Sequence, residues 1–196
     1  MARVSADVRR DLLVEAAIRV MVRDGVARTT TRAIVAEADM ALGAFHYCFR
    51  SKAELLESVI EEIQAHTVDL ALAAFEEGGT LEDRLLRGIR IYWQHVLENP
   101  DEHRVTYELG QFALRNPELA DVARKQYELY IASITQIMET LSAATGLGWT
   151  EPLPVLARYL ISVIDGLTLI YLNEGDAEST LAALELAARH VAGLAA

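Results

Sequence analysis

Leu12, Leu13, Ala16, Ala17, Val20 and Met21 recur at helical spacing, and Asp24-Gly25 stops the run, so the pattern predicts a first helix with one apolar face. Two short helices should follow. Thr29 and Thr30 are hydroxyl caps suited to starting the first of these, with Ile34, Val35 and Ala38 turned inward. Asp39 occupies the turn, because Asp tolerates the left-handed backbone a turn often needs. The next helix should run from about Leu42 to Cys48. On it Phe45 and Phe49 lie one turn apart and bury together, leaving Leu42, Ala44, His46 and Tyr47 outward. Gly43 offers close backbone approach to a phosphate or to helix one. Ser51-Lys52 caps a fourth helix, whose N-terminal amides suit a phosphate.

Glycine and proline divide the remainder. A long helix from Lys52 to about Phe75 ends at Gly78-Gly79. Leu81 to Leu97 ends at Asn99-Pro100, and Glu102 to Leu114 ends at Asn116-Pro117. Glu118 to Thr145 is stopped by Gly146-Leu147-Gly148. Pro154–Leu172 and Glu178–Leu194 are separated by Asn173-Glu174-Gly175-Asp176. No strand signal, repeat or low-complexity tract interrupts them. The expected fold is all-α, about nine helices: a three-helix N-terminal domain over 1–52 and a C-terminal helical bundle over 53–196.

The layout of residues 29–52 is that of a helix-turn-helix, whose second helix enters the DNA major groove. On that reading Leu42, Ala44 and His46 face base edges, the two apolar ones suited to thymine methyls. Tyr47 and Lys52 contact phosphates, with Thr29 or Thr30 adding a hydroxyl or amide. Arg28, Arg32 and Arg50 are either backbone contacts or solvated surface charges.

Gly25, Thr29-Thr30-Thr31, Ile34, Ala38, Gly43, Tyr47, Phe49, Ser51-Lys52 and Leu55-Leu56 together resemble the N-terminal signature of the tetracycline-repressor (TetR) family of bacterial regulators. The match spans roughly the first quarter of the chain; the rest resembles the family in length and helical layout. Asp39 stands where the family commonly has the turn Gly, and Met40 where a Val follows. Ala41 stands where a Ser caps the recognition helix, and Cys48 where an aromatic or His is frequent. The resemblance implies a homodimer reading a palindromic operator. It also implies a small hydrophobic or amphipathic effector bound among the middle helices, which moves the helix starting at Lys52 and releases the DNA. Repression is the expected direction.

Two features bear on those implications. In residues 154–172 apolar side chains cover nearly the whole helix circumference, and the final helix carries alanines at 182, 183, 187, 188 and 192. These last two helices suit a four-helix interface between subunits; a central core helix in a monomer is the other reading. The middle helices are rich in aromatics, and Trp93, Tyr107, Gln111, Phe112, Tyr127, Tyr130 and Asp165 could line an apolar pocket with few polar groups, or simply be core. Asp165 is an acid on an apolar helix, and needs a structural hydrogen bond or a ligand.

Charge sharpens the division. The chain carries −11 overall, yet residues 1–55 hold nine Lys/Arg against seven Asp/Glu, +2, and residues 56–196 hold nine against twenty-two, −13. Phosphate contact needs local positive charge, and a distant acidic body is screened over about 8 Å. One Cys excludes an internal disulfide framework; Cys48 reads as a small packed residue, with a redox sensor the alternative. No uninterrupted apolar run approaches a membrane span and no secretory signal is legible, so the expectation is a cytoplasmic protein without a membrane partner. No Glu is followed three positions later by His, and no phosphate-binding glycine loop or nucleophile elbow occurs. The expected protein is not an enzyme and has no cofactor or metal. A helical adaptor or small-molecule-binding protein without DNA binding is the competing class.

Overall fold

The computed structural model describes residues 5–76 and 78–196, the side chains of 66–76 excepted. Among them are nine α-helices: α1 (Ala6–Asp24), α2 (Thr31–Glu37), α3 (Leu42–Cys48), α4 (Lys52–Glu76), α5 (Leu81–Glu98), α6 (Pro100–Arg115), α7 (Ala120–Thr145), α8 (Leu153–Glu174) and α9 (Ala177–Ala192). No named strand occurs among the described residues. The helix expected from Glu118 begins instead with a tight 3-10 turn over Pro117–Leu119 before α7.

Local chemistry sets the helix ends. The Ser5 hydroxyl accepts from the Val8 amide at the start of α1, and Gly25 closes it at φ 83°, a backbone that disfavours a side chain. Thr80 and Asp83 exchange hydrogen bonds as a capping box on α5, and Asp176 caps α9 through the Ser179 amide. Gly175 ends α8 in the left-handed conformation.

By packing the chain gathers into two units: Met1–Ile63 with Asp101–Tyr127, and Gln64–Pro100 with Glu128–Ala196. The boundary expected at 52/53 therefore falls inside the first packed unit. In that unit α1 packs on α2 and α3, and α2 on α3. The buried stripe of α1 is Leu13, Val14, Ala16, Ala17, Val20 and Met21; Leu12, expected inward, is exposed because it lies one position off that stripe. Asp39, at φ 51°, is the one non-glycine with positive φ among the described residues, and makes the α2–α3 turn as expected.

Helix α3 has seven residues, and its N-cap Ala41 offers no side-chain hydrogen bond. A helix this short does not persist alone. It is held by Phe45 and Phe49, 2% and 1% exposed, with ring centroids 5.5 Å apart. Arg10 of α1 adds a clamp. Its guanidinium lies 4.3 Å from the Phe49 ring centre and donates to the Cys48 carbonyl (2.8 Å), the Glu54 carboxylate (3.0 Å) and the Ser58 hydroxyl (2.8 Å). Cys48 itself is half-buried.

In the second unit α9 packs against α5 and α8. Leu81, Leu85, Met138, Leu141, Leu156, Leu160, Ala188 and Val191 form one core cluster. Ala187 and Ala188, expected to admit a second subunit, are buried against the chain's own helices. Helix α8 has the length and apolarity to cross a membrane, although Arg158 and Asp165 interrupt its apolar sequence.

Restoring the missing cap tests this account of α3. Ala41→Ser should raise stability by about 1 kcal/mol, read as a higher urea midpoint at unchanged slope. An unchanged midpoint would mean that α3 gains nothing from a side-chain cap.

Candidate nucleic-acid interface

With Phe45 and Phe49 turned inward, α3 presents Leu42, Gly43, His46 and Tyr47 to solvent. Tyr47 is 71% exposed, and the Arg9 guanidinium stands 5.8 Å from its ring centre. A Cβ built on Gly43 would meet nothing within 4 Å, so close packing on α1 is not why glycine is tolerated there. Ala44 is half-buried rather than fully outward, because it leans toward the inward side of the short helix. Arg28, Arg32 and Arg50 are exposed; the Arg28 side chain donates to the Asp24 carbonyl.

The two threonines separate. The Thr30 hydroxyl caps α2 by accepting from the Ala33 amide and remains at the surface. Thr29 is 2% exposed and its hydroxyl donates to the Gly25 carbonyl at 2.8 Å, so that hydroxyl is already used within the protein. Lys52 is half-buried, its Nζ donating to the Thr29 carbonyl at 3.0 Å and lying 5.3 Å from the centre of the Phe112 ring. Burial lowers its pKa below the ordinary lysine value.

The start of α4 is partly supplied from within. The Ser51 hydroxyl accepts from the Glu54 amide, and the Glu54 carboxylate accepts from the Arg50 amide at 2.9 Å and from Arg10. Those bonds, the Arg50 amide first, hold the Glu54 carboxyl below the usual carboxylate range. Sequence reading missed Arg9, Arg10 and Glu54. Arg10 finds its partners 38 to 48 positions away, where no local pattern signals them.

The seven pocket candidates fall into both units. Trp93, Tyr130 and Asp165 belong to the second; Tyr107, Gln111, Phe112 and Tyr127 belong to the first, where Gln111 and Tyr127 are exposed and Phe112 lies beneath the Lys52 ammonium. In the second unit Trp93 is buried edge-on to Tyr171, centroids 4.7 Å apart. Beside it on α5, the Tyr92 hydroxyl shares a 2.7 Å hydrogen bond with Thr168 of α8. Burial raises the Tyr92 pKa, and the nearby Asp165 and Tyr130 add to the rise. Tyr92 and Thr168 thus form a hydrogen-bonded pair between α5 and α8, with Asp165 and Tyr130 near enough to act on Tyr92 electrostatically. Among the described residues no three His, Cys, Asp or Glu side chains group as metal ligands.

This arrangement, a small trihelical head with an outward-facing short helix and a larger helical body, is that of a helix-turn-helix transcriptional regulator. Residues 13–59 match the family of bacterial regulatory proteins, tetR family, and residues 81–196 match the C-terminal domain of BetI-type transcriptional repressors. The chain is 31% identical over 169 residues to the helix-turn-helix-type nicotine-responsive transcriptional repressor HdnoR of Paenarthrobacter nicotinovorans, covering 86% of each protein. It resembles the crystal structure of a TetR-family regulator from Rhodococcus sp. with a TM-score of 0.80 at 20% identity, over 93% of this chain and 97% of that one. It also resembles multidrug binding protein EbrR complexed with imidazole, with a TM-score of 0.64 at 29% identity, over 93% and 94%. The chain belongs to the TetR family of ligand-responsive, DNA-binding transcriptional repressors.

The Glu54 bonds give a pH dependence. A carboxyl whose folded pKa is depressed contributes stability above its unfolded value, near ~4.3, and loses it as pH falls through the folded value. Glu54→Gln should therefore flatten the acid limb of the stability profile below about pH 4.3. An acid limb unchanged in the variant would show that these bonds do not depend on its charge.

Proposed function

We propose that the protein binds a palindromic operator as a homodimer and is released from it by a small hydrophobic or amphipathic effector. The observation that carries this is the exposed face of α3, held outward by the buried Phe45–Phe49 pair. Residues 1–52 act as the DNA-binding head and 53–196 as the effector-binding and dimerising part, in the cytoplasm, with no catalytic role. Leu42, Gly43, Ala44 and His46 meet base edges and the groove wall. Tyr47, Lys52, Thr30, Arg28, Arg32 and Arg50 meet the DNA backbone.

The second subunit docks on α8 and α9. Val155, Tyr159, Leu169 and Ile170 of α8 and Leu186 of α9 are exposed apolar side chains on a strongly acidic body, and Tyr159 bonds His190 across the two helices at 2.8 Å. A second copy, bearing the same surface, covers that side without needing a lipid partner for α8. Trp93, Tyr130 and Asp165, joined by Tyr92 and Thr168, are the proposed effector contacts in the second unit. The carboxylate among aromatic rings suits an amine-bearing amphipathic molecule. The nicotine-responsive and multidrug-binding relatives support that choice.

Release follows from geometry. The half-sites of a dimer lie about one DNA turn apart, roughly 34–36 Å, so a tilt of α4 that moves the heads by a few Å loses one set of contacts. The effector must favour the released state by a few kcal/mol.

Anisotropy with a duplex from the protein's own upstream region tests the reading. Tyr47→Ala should weaken binding at least tenfold, about 1.4 kcal/mol, and Lys52→Ala should flatten the salt slope by about one unit. Wild-type affinity in Tyr47→Ala, or a wild-type salt slope in Lys52→Ala, would remove that residue from the interface. Separately, Ile170→Glu with Leu186→Glu should convert the protein to monomer in sedimentation; an intact dimer would place the interface elsewhere.

A further inference from the structure

The position of Lys52 reaches beyond the reading of it as a phosphate contact, on which this inference nonetheless rests. The chain has two lysines, Lys52 and Lys125. Lys125 is exposed and pairs with Glu57 at 2.7 Å, which raises its pKa. Lys52 is turned the other way, into the protein, onto a carbonyl and an aromatic face.

The acceptor is well fixed. Thr29 is buried, with its amide on the Val26 carbonyl and its hydroxyl on the Gly25 carbonyl. Phe112 is fixed to the same loop by its own helix. One turn earlier on α6, Glu108 accepts from the Val26 amide at 3.0 Å, and a Cβ on Gly25 would stand 3.2 Å from that carboxylate. Helix α6 thus offers the 25–29 loop a carboxylate and, on the same side, a ring that covers the lysine. An ammonium over a ring at this range gains electrostatic attraction, more where water is partly excluded.

An operator phosphate must draw the ammonium from these partners, so whatever stabilises the inward position subtracts from DNA affinity. We propose that Phe112 and the Thr29 carbonyl form a docking site that competes with operator phosphate for Lys52, making Phe112 a positioning residue that limits operator affinity. A shift of α6 that withdraws the ring frees the charge for DNA.

The test uses the full-length protein with isotope-labelled lysine, whose two side-chain signals are assigned with Lys125→Arg. In the free wild type Lys52 should titrate below Lys125. The ring attracts the ammonium, so Phe112→Leu, apolar but ringless, should move the Lys52 titration further down, and Phe112→Tyr, which keeps a ring, should leave it as in the wild type. In operator anisotropy Phe112→Leu should bind about threefold to tenfold tighter with an unchanged salt slope. In a Lys52→Ala background the same change should alter affinity by less than about twofold.

A Lys52 titration identical in wild type and Phe112→Leu overturns the docking site, even where DNA binding is normal. A Lys52 titration lowered further by Phe112→Leu, with unchanged or weaker operator affinity, overturns the competition. A docked lysine in a wild-type protein that binds no duplex overturns the competition together with the functional reading, and so separates that failure from the other two.

Discussion

Burial of Phe45 and Phe49 beneath α3 is the constraint on which the rest of the head depends. A seven-residue helix with an uncapped start has too few hydrogen bonds to offset its nucleation cost. Its conformation is therefore borrowed from packing. Two rings one turn apart sink into the head, Arg10 covers one of them, and the same guanidinium fixes the last carbonyl of α3 and the first turn of α4. Once those rings are inward, helical geometry leaves Leu42, Gly43, His46 and Tyr47 no orientation but outward.

Electrostatics in the head are tuned rather than simply positive. Residues 1–55 carry only +2, and much of their charge is spent internally: Arg19 and Arg23 bond Glu37, Arg10 bonds Glu54, and Lys52 lies against Thr29 and Phe112. Surface pairs of this kind contribute little to stability, but each holds a cation in one place. A head with few free charges beside a body of −13 should bind DNA weakly without sequence contacts. Discrimination then rests on the shape and chemistry of α3, whose apolar Leu42 suits a methyl-bearing base.

Features governed by neighbours in sequence were legible in it. The bounds of α3, the left-handed Asp39, the uncapped Ala41 and the inward Phe45 and Phe49 all follow from spacing and from the backbone preferences of single residues. What depends on distant partners was not. Thr29 and Lys52 looked like surface groups because nothing local announces a ring at position 112. Glu108 serves an amide 82 positions away. Ala187 and Ala188 advertised close approach without saying that the neighbour is the chain's own core. The pocket candidates divide between two packed units because aromatic spacing along the chain does not say which helices come together. Tyr92 and Thr168 acquired importance only when the fold put their hydroxyls together.

Selection of bound duplexes from a random library by the full-length protein tests most directly the claim that paired α3 helices read DNA. The account predicts enrichment of an inverted repeat whose half-sites are centred about one helical turn apart, roughly 10 base pairs. Enrichment of a single undivided site, or of no sequence at all, would contradict it.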